Sequence, residues 1–539
     1  MATAAITPDL TLILPVFIAL FAVFIFLGFW GARWRKADLG GLFEWGLAGG
    51  KLGAFTAFFL FGADWYTAFS ILSVPGSVFA LGAFGYMAVT YQAMVFAFCI
   101  LVLPRLWKKS KEKGYLTLGD TIKGETGSRA LSILFALVGI GALIPYIALQ
   151  IVGLQGVLVA MFSGLADSSQ LQELGLVVAF LVLAGFTFTS GLRGATLGSI
   201  FKDILVWISL LALVGVAFTA VGGFTGAFAA PLPNIGGAPK PSGLGSYLTF
   251  NPLLNIAFST SMLGTALSYV AWPHNVNNTY ATKSSKNLKI GLSLAVFYAI
   301  PLFLADTLGV IVTRVPAANA LLSEFPASFR GILVVPAMAL AEFQGNNSWF
   351  AAVVLIGVFV GGLVPAAIMA IAQGNLLARN VVKEFKPNLT PKGESQIAKW
   401  SSALFKFTAL GVVFAIPPTY NVQFYYFAAA FVIQGIPATY FILFTRWFKN
   451  IPLLVGGAAG LIASIYLTFA ANKFAFPLTT TIYPAPAVAL GAGIPYAAYA
   501  GALGLGLNLI IVIVGSAIMN AMSPKQAVTA SPPITASAP

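Results

Sequence analysis

Thirteen apolar stretches, each of about twenty residues or more, take up most of this chain and leave only short segments between them. They run over 10–32, 53–75, 79–105, 130–161, 171–192, 197–222, 252–274, 288–313, 347–377, 399–418, 421–445, 450–471 and 495–520. About 20 residues of helix cross the ~30 Å hydrocarbon core of a bilayer. Such continuous runs lack the alternation of a barrel strand, and an open strand edge cannot face lipid. The expectation is an all-α polytopic membrane protein with about 13 transmembrane helices. Charge agrees: 8% of the residues are charged, against roughly 25% in soluble domains.

The formal net charge of +14 is explained by topology and calls for no nucleic-acid partner. Of the 29 basic residues, all but Lys240, Arg314, Arg330 and Lys473 fall on one side of the thirteen-span map, with Arg193 and Lys202 counted in the loop after the fifth span. The positive-inside rule then puts the N-terminus outside and the C-terminus in the cytoplasm of a cell whose plasma membrane holds the chain. The first span lacks a charged n-region and is expected to be retained. One histidine, His274, and one cysteine, Cys99, exclude haem, copper, zinc-cluster, iron–sulfur and disulfide chemistry, so no cofactor is expected.

Polar groups inside apolar spans are expensive, and each is a functional candidate. Two acids qualify: Asp64, midway along the second span in Gly62-Ala63-Asp64-Trp65-Tyr66-Thr67, and Asp306 in the eighth. No Lys or Arg is expected at their depth, so each carboxylate needs a proton, a cation or several hydrogen-bond donors. Gly62 and Pro75-Gly76 loosen the second span, as in transporters whose broken helices offer carbonyls and helix ends to ions. The seventh span lines up Ser259, Thr260, Ser261, Gly264, Thr265 and Ser268, and the fourth carries Tyr146, Gln150 and Gln155. Helix packing explains such hydroxyls and amides equally well. His274, after Pro273, is expected at the cytoplasmic end of the seventh span.

Spans 2–6 and 7–11 form two blocks of five helices. Because five is odd, the blocks enter the membrane in opposite senses, as in inverted-repeat transporters. The expected organisation is residues 1–52 as N-terminus, first helix and cytoplasmic loop; 53–222 and 252–445 as the two repeats, joined by the Gly/Pro-rich external loop 223–251; 446–521 as two peripheral helices; and 522–539 as a disordered tail.

Several motifs resemble the sodium:solute symporter family over about residues 10–520: Glu44-Trp45-Gly46-Leu47-Ala48-Gly49-Gly50, Tyr115-Leu116-Thr117-Leu118-Gly119-Asp120, Ser190-Gly191-Leu192-Arg193-Gly194 and Gln434-Gly435-Ile436-Pro437. Gly62 to Ala68, Pro145 to Gln150, Trp272-Pro273-His274, Ala366 to Ala372 and Ala378-Arg379-Asn380 are most similar to its monocarboxylate permease branch, whose members take up lactate, pyruvate or acetate. The resemblance implies the leucine-transporter fold, a ten-helix core of spans 2–11. It also implies a sodium site between spans 2 and 9, with carbonyls near Ala63, Tyr66 and Ala367 as ligands. Two adjacent hydroxyl residues usual in the family are replaced here by Ala370 and Ile371.

Sodium is a hard cation that needs about five or six oxygens, so Asp64 or water completes the shell, or the coupling ion is a proton, with Asp306 as a second acid. The co-transported cation is thus sodium or a proton. With no buried cation expected, Tyr66, Thr67, Gln150, Thr260 and Thr265, together with half-helix N-termini, are the expected contacts of the substrate carboxylate. Scarce fixed charge suits a small mono-anion. The alternatives are a symporter of proline, pantothenate or another amino acid or vitamin, and, more distantly, a channel or membrane sensor. No nucleophile, base and orienting group cluster as an enzyme would require.

Overall fold

The computed structural model describes residues 6–34, 38–165, 168–237, 245–415, 421–474, 480, 482–485 and 496–522. Lys240, the expected tail beyond residue 522 and the end of the tenth expected span lie outside these residues. Helix α1 (Leu10–Trp30) and the short α2 (Leu42–Leu47) precede α3 (Ala54–Ala63). The chain then breaks over residues 64–67 and resumes through a π-helical turn, Phe69–Ser73, into α4 (Val74–Leu81). Helices α5 (Met87–Lys113), α6 (Leu118–Thr126), α7 (Arg129–Met161), α8 (Ser168–Ser190) and α9 (Leu192–Ala220) complete the first half, and α10 (Gly223–Ala227) starts the connecting loop.

The second half repeats the plan. Helix α11 (Asn255–Ser268) continues to Trp272, whose extended backbone interrupts it, and resumes as α12 (Pro273–Ala281). Then come α13 (Ser285–Ala295), α14 (Ala299–Asp306) and α15 (Leu308–Ile311) within one span, followed by α16 (Pro316–Ser323) and α17 (Ala327–Glu342). Helices α18 (Ser348–Leu376), α19 (Lys383–Phe385), α20 (Pro391–Ala415), α21 (Asn421–Val432) and α22 (Ile442–Phe444) end the core. Peripheral α23 (Asn450–Ala471) and α24 (Ala500–Met522) are joined through an antiparallel pair, β1 (Ile482–Ala485) and β2 (Tyr496–Tyr499), with Ile482 opposite Tyr499. Twelve helices among the described residues are long and apolar enough to span a bilayer, or thirteen with the pair Val422–Gly435 and Pro437–Phe444, bent by 42°.

Helix α18 is the axle. It is apolar on every side, as a helix wrapped by others must be, and it packs against α1, α7, α9 and α20. Gly357, Gly361 and Gly362 bring its backbone close to Ser209 of α9, Ile71 and Leu154 of α7, respectively. Helix α1 lies outside, crossing α9 where a Cβ on Gly31 would come within 2.5 Å of Gly194.

Four expectations are corrected. The second span does not stop at 75: Pro75 occupies the first turn of α4, where its missing N–H costs nothing. The seventh does not end at 274, because α12 continues it with every residue buried; its many polar side chains disguised a half-helix as a loop. Helices α16 and α17, too short and too mixed in character to stand out by hydropathy, fill the segment before α18. Arg193 and Lys202 lie within α9, buried, and not in a cytoplasmic loop.

The family-like motifs meet in pairs at the basic end of the bundle. Glu44 pairs with Arg193, and the Trp45 indole donates to the Thr187 carbonyl at 3.0 Å. Gly191 is required there, since its φ of 57° is left-handed and a Cβ would collide with the Trp45 carbonyl. Asp120 accepts from Arg379 at 2.5 Å and Asn380 at 3.0 Å, while Glu394 pairs with Arg379 and Lys383. In the loop-side helix α6, burial raises the pKa of Glu125, but hydrogen bonds from Lys109 and Lys113, each 2.8 Å, outweigh it and hold the carboxyl below its usual range. Gln434 instead ties the core to the peripheral pair, donating to Ser464 at 3.0 Å and the Gly501 carbonyl at 3.1 Å.

Candidate ion and substrate site

The two helix breaks face one another at the centre of the bundle. Where α3 stops, Asp64, Trp65 and Tyr66 still donate to carbonyls of its last turn, and side chains supply the partners of the Thr67 and Ala68 N–H groups beyond. Gln150 of α7 accepts from the Ala68 N–H at 2.9 Å, capping the resumed helix, and its own amide donates to the Tyr146 carbonyl at 3.4 Å. The Thr67 N–H donates to Ser70 Oγ at 3.0 Å, and Ser70 donates in turn to the Trp65 carbonyl. The Trp65 indole donates to the Tyr269 hydroxyl at 2.6 Å, linking the first break to the turn that precedes the second.

Lys202 is the group that sequence reasoning missed. Fully buried on α9, its ammonium donates to the Tyr66 carbonyl at 2.7 Å and reaches the Ala63 carbonyl at 3.4 Å. It also pairs with the adjacent, equally buried Asp203 at 2.6 Å. Asp203 accepts a further bond from the Tyr298 hydroxyl at 2.9 Å. The expectation of no cation at the depth of Asp64 is therefore overturned, and Asp203 adds an acid to the expected two. The signal was legible: Lys202-Asp203 stands inside the predicted span 197–222, and opposite charges side by side in an apolar helix are seldom accidental.

The other expected residues divide. Asp64 Oδ2 accepts from Asn278 of α12 at 2.5 Å, while its Oδ1 has no partner among the described residues. The Tyr66 ring turns from the break toward Tyr298, 4.7 Å away between centroids, and Trp207 at 6.4 Å. Ala367, Ala370 and Ile371 are buried in α18 and bring no side-chain oxygen. Thr265 is buried with its hydroxyl unpartnered among the described residues. Thr260 lies elsewhere: it donates to the Ile256 carbonyl at 2.6 Å and accepts from the Tyr499 N–H at 3.0 Å, holding the β-hairpin. Asp306 ends α14, fully buried, with neither carboxylate oxygen partnered among the described residues and no bond to the central group.

His274 is not at a helix end near the interface but 2% exposed beside the second break. Its ring packs on Tyr146 at 5.8 Å and Trp272 at 5.5 Å. Tyr425 closes the group, stacked on Phe69 at 4.1 Å and set 5.1 Å from Tyr146. Within this aromatic cluster Trp272 Nε1 and His274 Nδ1 have no hydrogen-bond partner among the described residues.

Two five-helix repeats, each opening on a broken helix and enclosing a buried polar centre, define a secondary transporter of the leucine-transporter type. The sequence profile of the sodium:solute symporter family matches residues 45–449, and the chain belongs to that family. A protein of Rhizobium johnstonii named "Monocarboxylate transport permease protein" is 34% identical over 516 residues, covering 95% of this chain and 98% of the relative. The uncharacterised symporter YodF of Bacillus subtilis is 27% identical over 451 residues, 83% of this chain and 86% of its own. Among solved structures, a Na+-coupled sialic acid symporter in a substrate-bound outward-open state superposes with a TM-score of 0.70 at 14% identity, covering 94% of this chain and 98% of that one.

Proposed function

We propose that this chain carries a small monocarboxylate, such as lactate, pyruvate or acetate, across the plasma membrane together with a cation, by alternating access, with its N-terminus outside and its C-terminus in the cytoplasm. One observation carries the substrate class. Trp272 Nε1 and His274 Nδ1 have no partner among the described residues, in a buried cluster of rings with Phe69, Tyr146 and Tyr425. Buried donors left without acceptors are costly, and an anion that takes both removes that cost. With the imidazole proton on Nδ1, both groups are donors of the kind a carboxylate accepts from, and the surrounding rings suit a short apolar body. The clustering of basic residues around Lys109, Lys113, Arg379 and Lys383 supports the orientation. The name of the Rhizobium relative supports the substrate.

Trp272→Phe removes one donor and keeps the ring. Its KM for labelled pyruvate in proteoliposomes is expected to rise about tenfold, the equivalent of ~1.4 kcal/mol. An unchanged KM would remove Trp272 from the site. Unlabelled lactate and acetate are expected to compete with pyruvate while proline and pantothenate do not; the reverse pattern favours the amino acid or vitamin alternative. For the ion, Asp64→Asn is expected to abolish gradient-driven accumulation, and accumulation that survives in this variant excludes Asp64 from coupling.

A further inference from the structure

We infer that Lys202 supplies, as a tethered ammonium, the cation that this centre would otherwise take from solution, so that sodium neither binds between α3 and α18 nor drives transport by this chain. The inference rests on the symporter reading above and concerns the identity of its ion. Lys202 Nζ sits 2.7 Å from the Tyr66 carbonyl and 3.4 Å from that of Ala63, the same two carbonyls that family resemblance assigns to sodium. A sodium ion on those oxygens would stand against a positive nitrogen in a fully buried site, where like charges repel more strongly than in bulk water. The side-chain part of the shell is also missing. Ala370 and Ile371 replace the hydroxyl pair, and α18 has no ionisable side chain anywhere from Ser348 to Leu376.

Every charged or titratable group around the ammonium fits a resident cation. Asp203 pairs with it from the same helix at 2.6 Å. Tyr298, from the segment between α13 and α14, steadies Asp203 at 2.9 Å. The break after α3 brings Asp64 and Tyr66 to the same centre, with Tyr66 packed on Tyr298 at 4.7 Å between ring centroids. Gly62 leaves the room that this cluster needs, since a Cβ there would lie 2.6 Å from Asp203 Oδ2. An amine that meets two carbonyls and a carboxylate has its three protons directed, which is what a permanent occupant requires.

Two measurements test the inference. In proteoliposomes at fixed pH and clamped membrane potential, labelled pyruvate uptake by the wild-type protein is expected to agree within twofold whether the outer salt is sodium chloride or choline chloride. A dependence on sodium of tenfold or more overturns it. The second needs no substrate, so it stands even if no monocarboxylate is transported and the reading above fails. Thermal unfolding of the purified protein in detergent is followed as sodium chloride or choline chloride is added. The wild type is expected to show no sodium-specific rise in Tm, whereas K202A, which leaves the carbonyls and Asp203 without a cation, gains one. A sodium-specific rise in the wild type overturns the inference, as does a K202A protein as indifferent to sodium as the wild type. If K202A does not fold, K202Q takes its place, and the wild-type titration decides alone if neither folds.

Discussion

Alanine at Gly62 is expected to cut pyruvate uptake tenfold or more and to lower stability, although glycine-to-alanine changes inside helices ordinarily stabilise by about 0.5–1 kcal/mol. The reason is local. Gly62 lies in the last turn of α3, and its missing side chain is the space that the Tyr298 hydroxyl and Asp203 occupy. A Cβ would collide with that hydroxyl. The ring cannot swing away, because Phe58, Tyr66 and Trp207 hold it with centroids 4.9, 4.7 and 5.6 Å distant. The bond to Asp203 must therefore break or α3 must shift. Overpacking of this kind costs about 1–3 kcal/mol. Gly215 on α9 is the control, since a Cβ there meets no atom within 4 Å, and Gly215→Ala is expected to match or exceed the wild type in stability and to keep its uptake. Full uptake by Gly62→Ala would show that the close approach does not matter.

Asp203→Ala is expected to have the largest effect on stability of any change at the centre. Removing one partner of a buried ion pair leaves an uncompensated charge and typically costs about 3–5 kcal/mol, while replacing both by apolar residues of similar volume is often neutral. Lys202 and Asp203 are each fully buried, so screening by water does not soften the loss. The double variant K202M/D203L is expected to recover most of the thermal stability lost by Asp203→Ala, without recovering uptake. The measurement is thermal unfolding of the three proteins in one detergent at one pH. Equal Tm values for Asp203→Ala and the wild type would show that no pair forms.

What could be read from the chain was set by hydropathy and by charge, and each failed where it met the other. Long spans such as α1, α9 and α18 are apolar enough to announce themselves, and the break near Asp64 follows from an acid beside a glycine. Helix α12 did not announce itself, because Asn275, Asn277 and Asn278 look solvated in sequence, whereas in the fold they are buried and their amide groups donate to the Tyr269 carbonyl, the Gly46 carbonyl and Asp64. Lys202 escapes a charge-based map because the positive-inside rule places lysines at membrane edges, whereas this one is buried within α9. Motif resemblance located conserved-looking words without their use. Glu44 and Arg193, or Asp120 and Arg379, lie far apart in sequence, and only the fold shows that each pair fastens one helix to another. Nothing in the sequence marks Trp272 and His274 as substrate contacts, since an orphaned donor becomes visible only when its neighbours are known.

The nitrogen held by Tyr66 and Ala63 has an electrical consequence. A sodium ion that enters with a mono-anion cancels its charge and leaves with it on the other side. An ammonium bound to α9 by its own side chain balances the anion only while the two are together, and is never delivered. Carried alone, each anion entering a cell must climb the inside-negative potential, at about 2.3 kcal/mol per 100 mV. Delivered with a proton, the acid crosses as a neutral sum, just as a sodium ion and a mono-anion would together, so zero current at every clamped voltage marks one cation per anion, and only its persistence with choline in place of sodium marks a carrier built around a fixed charge.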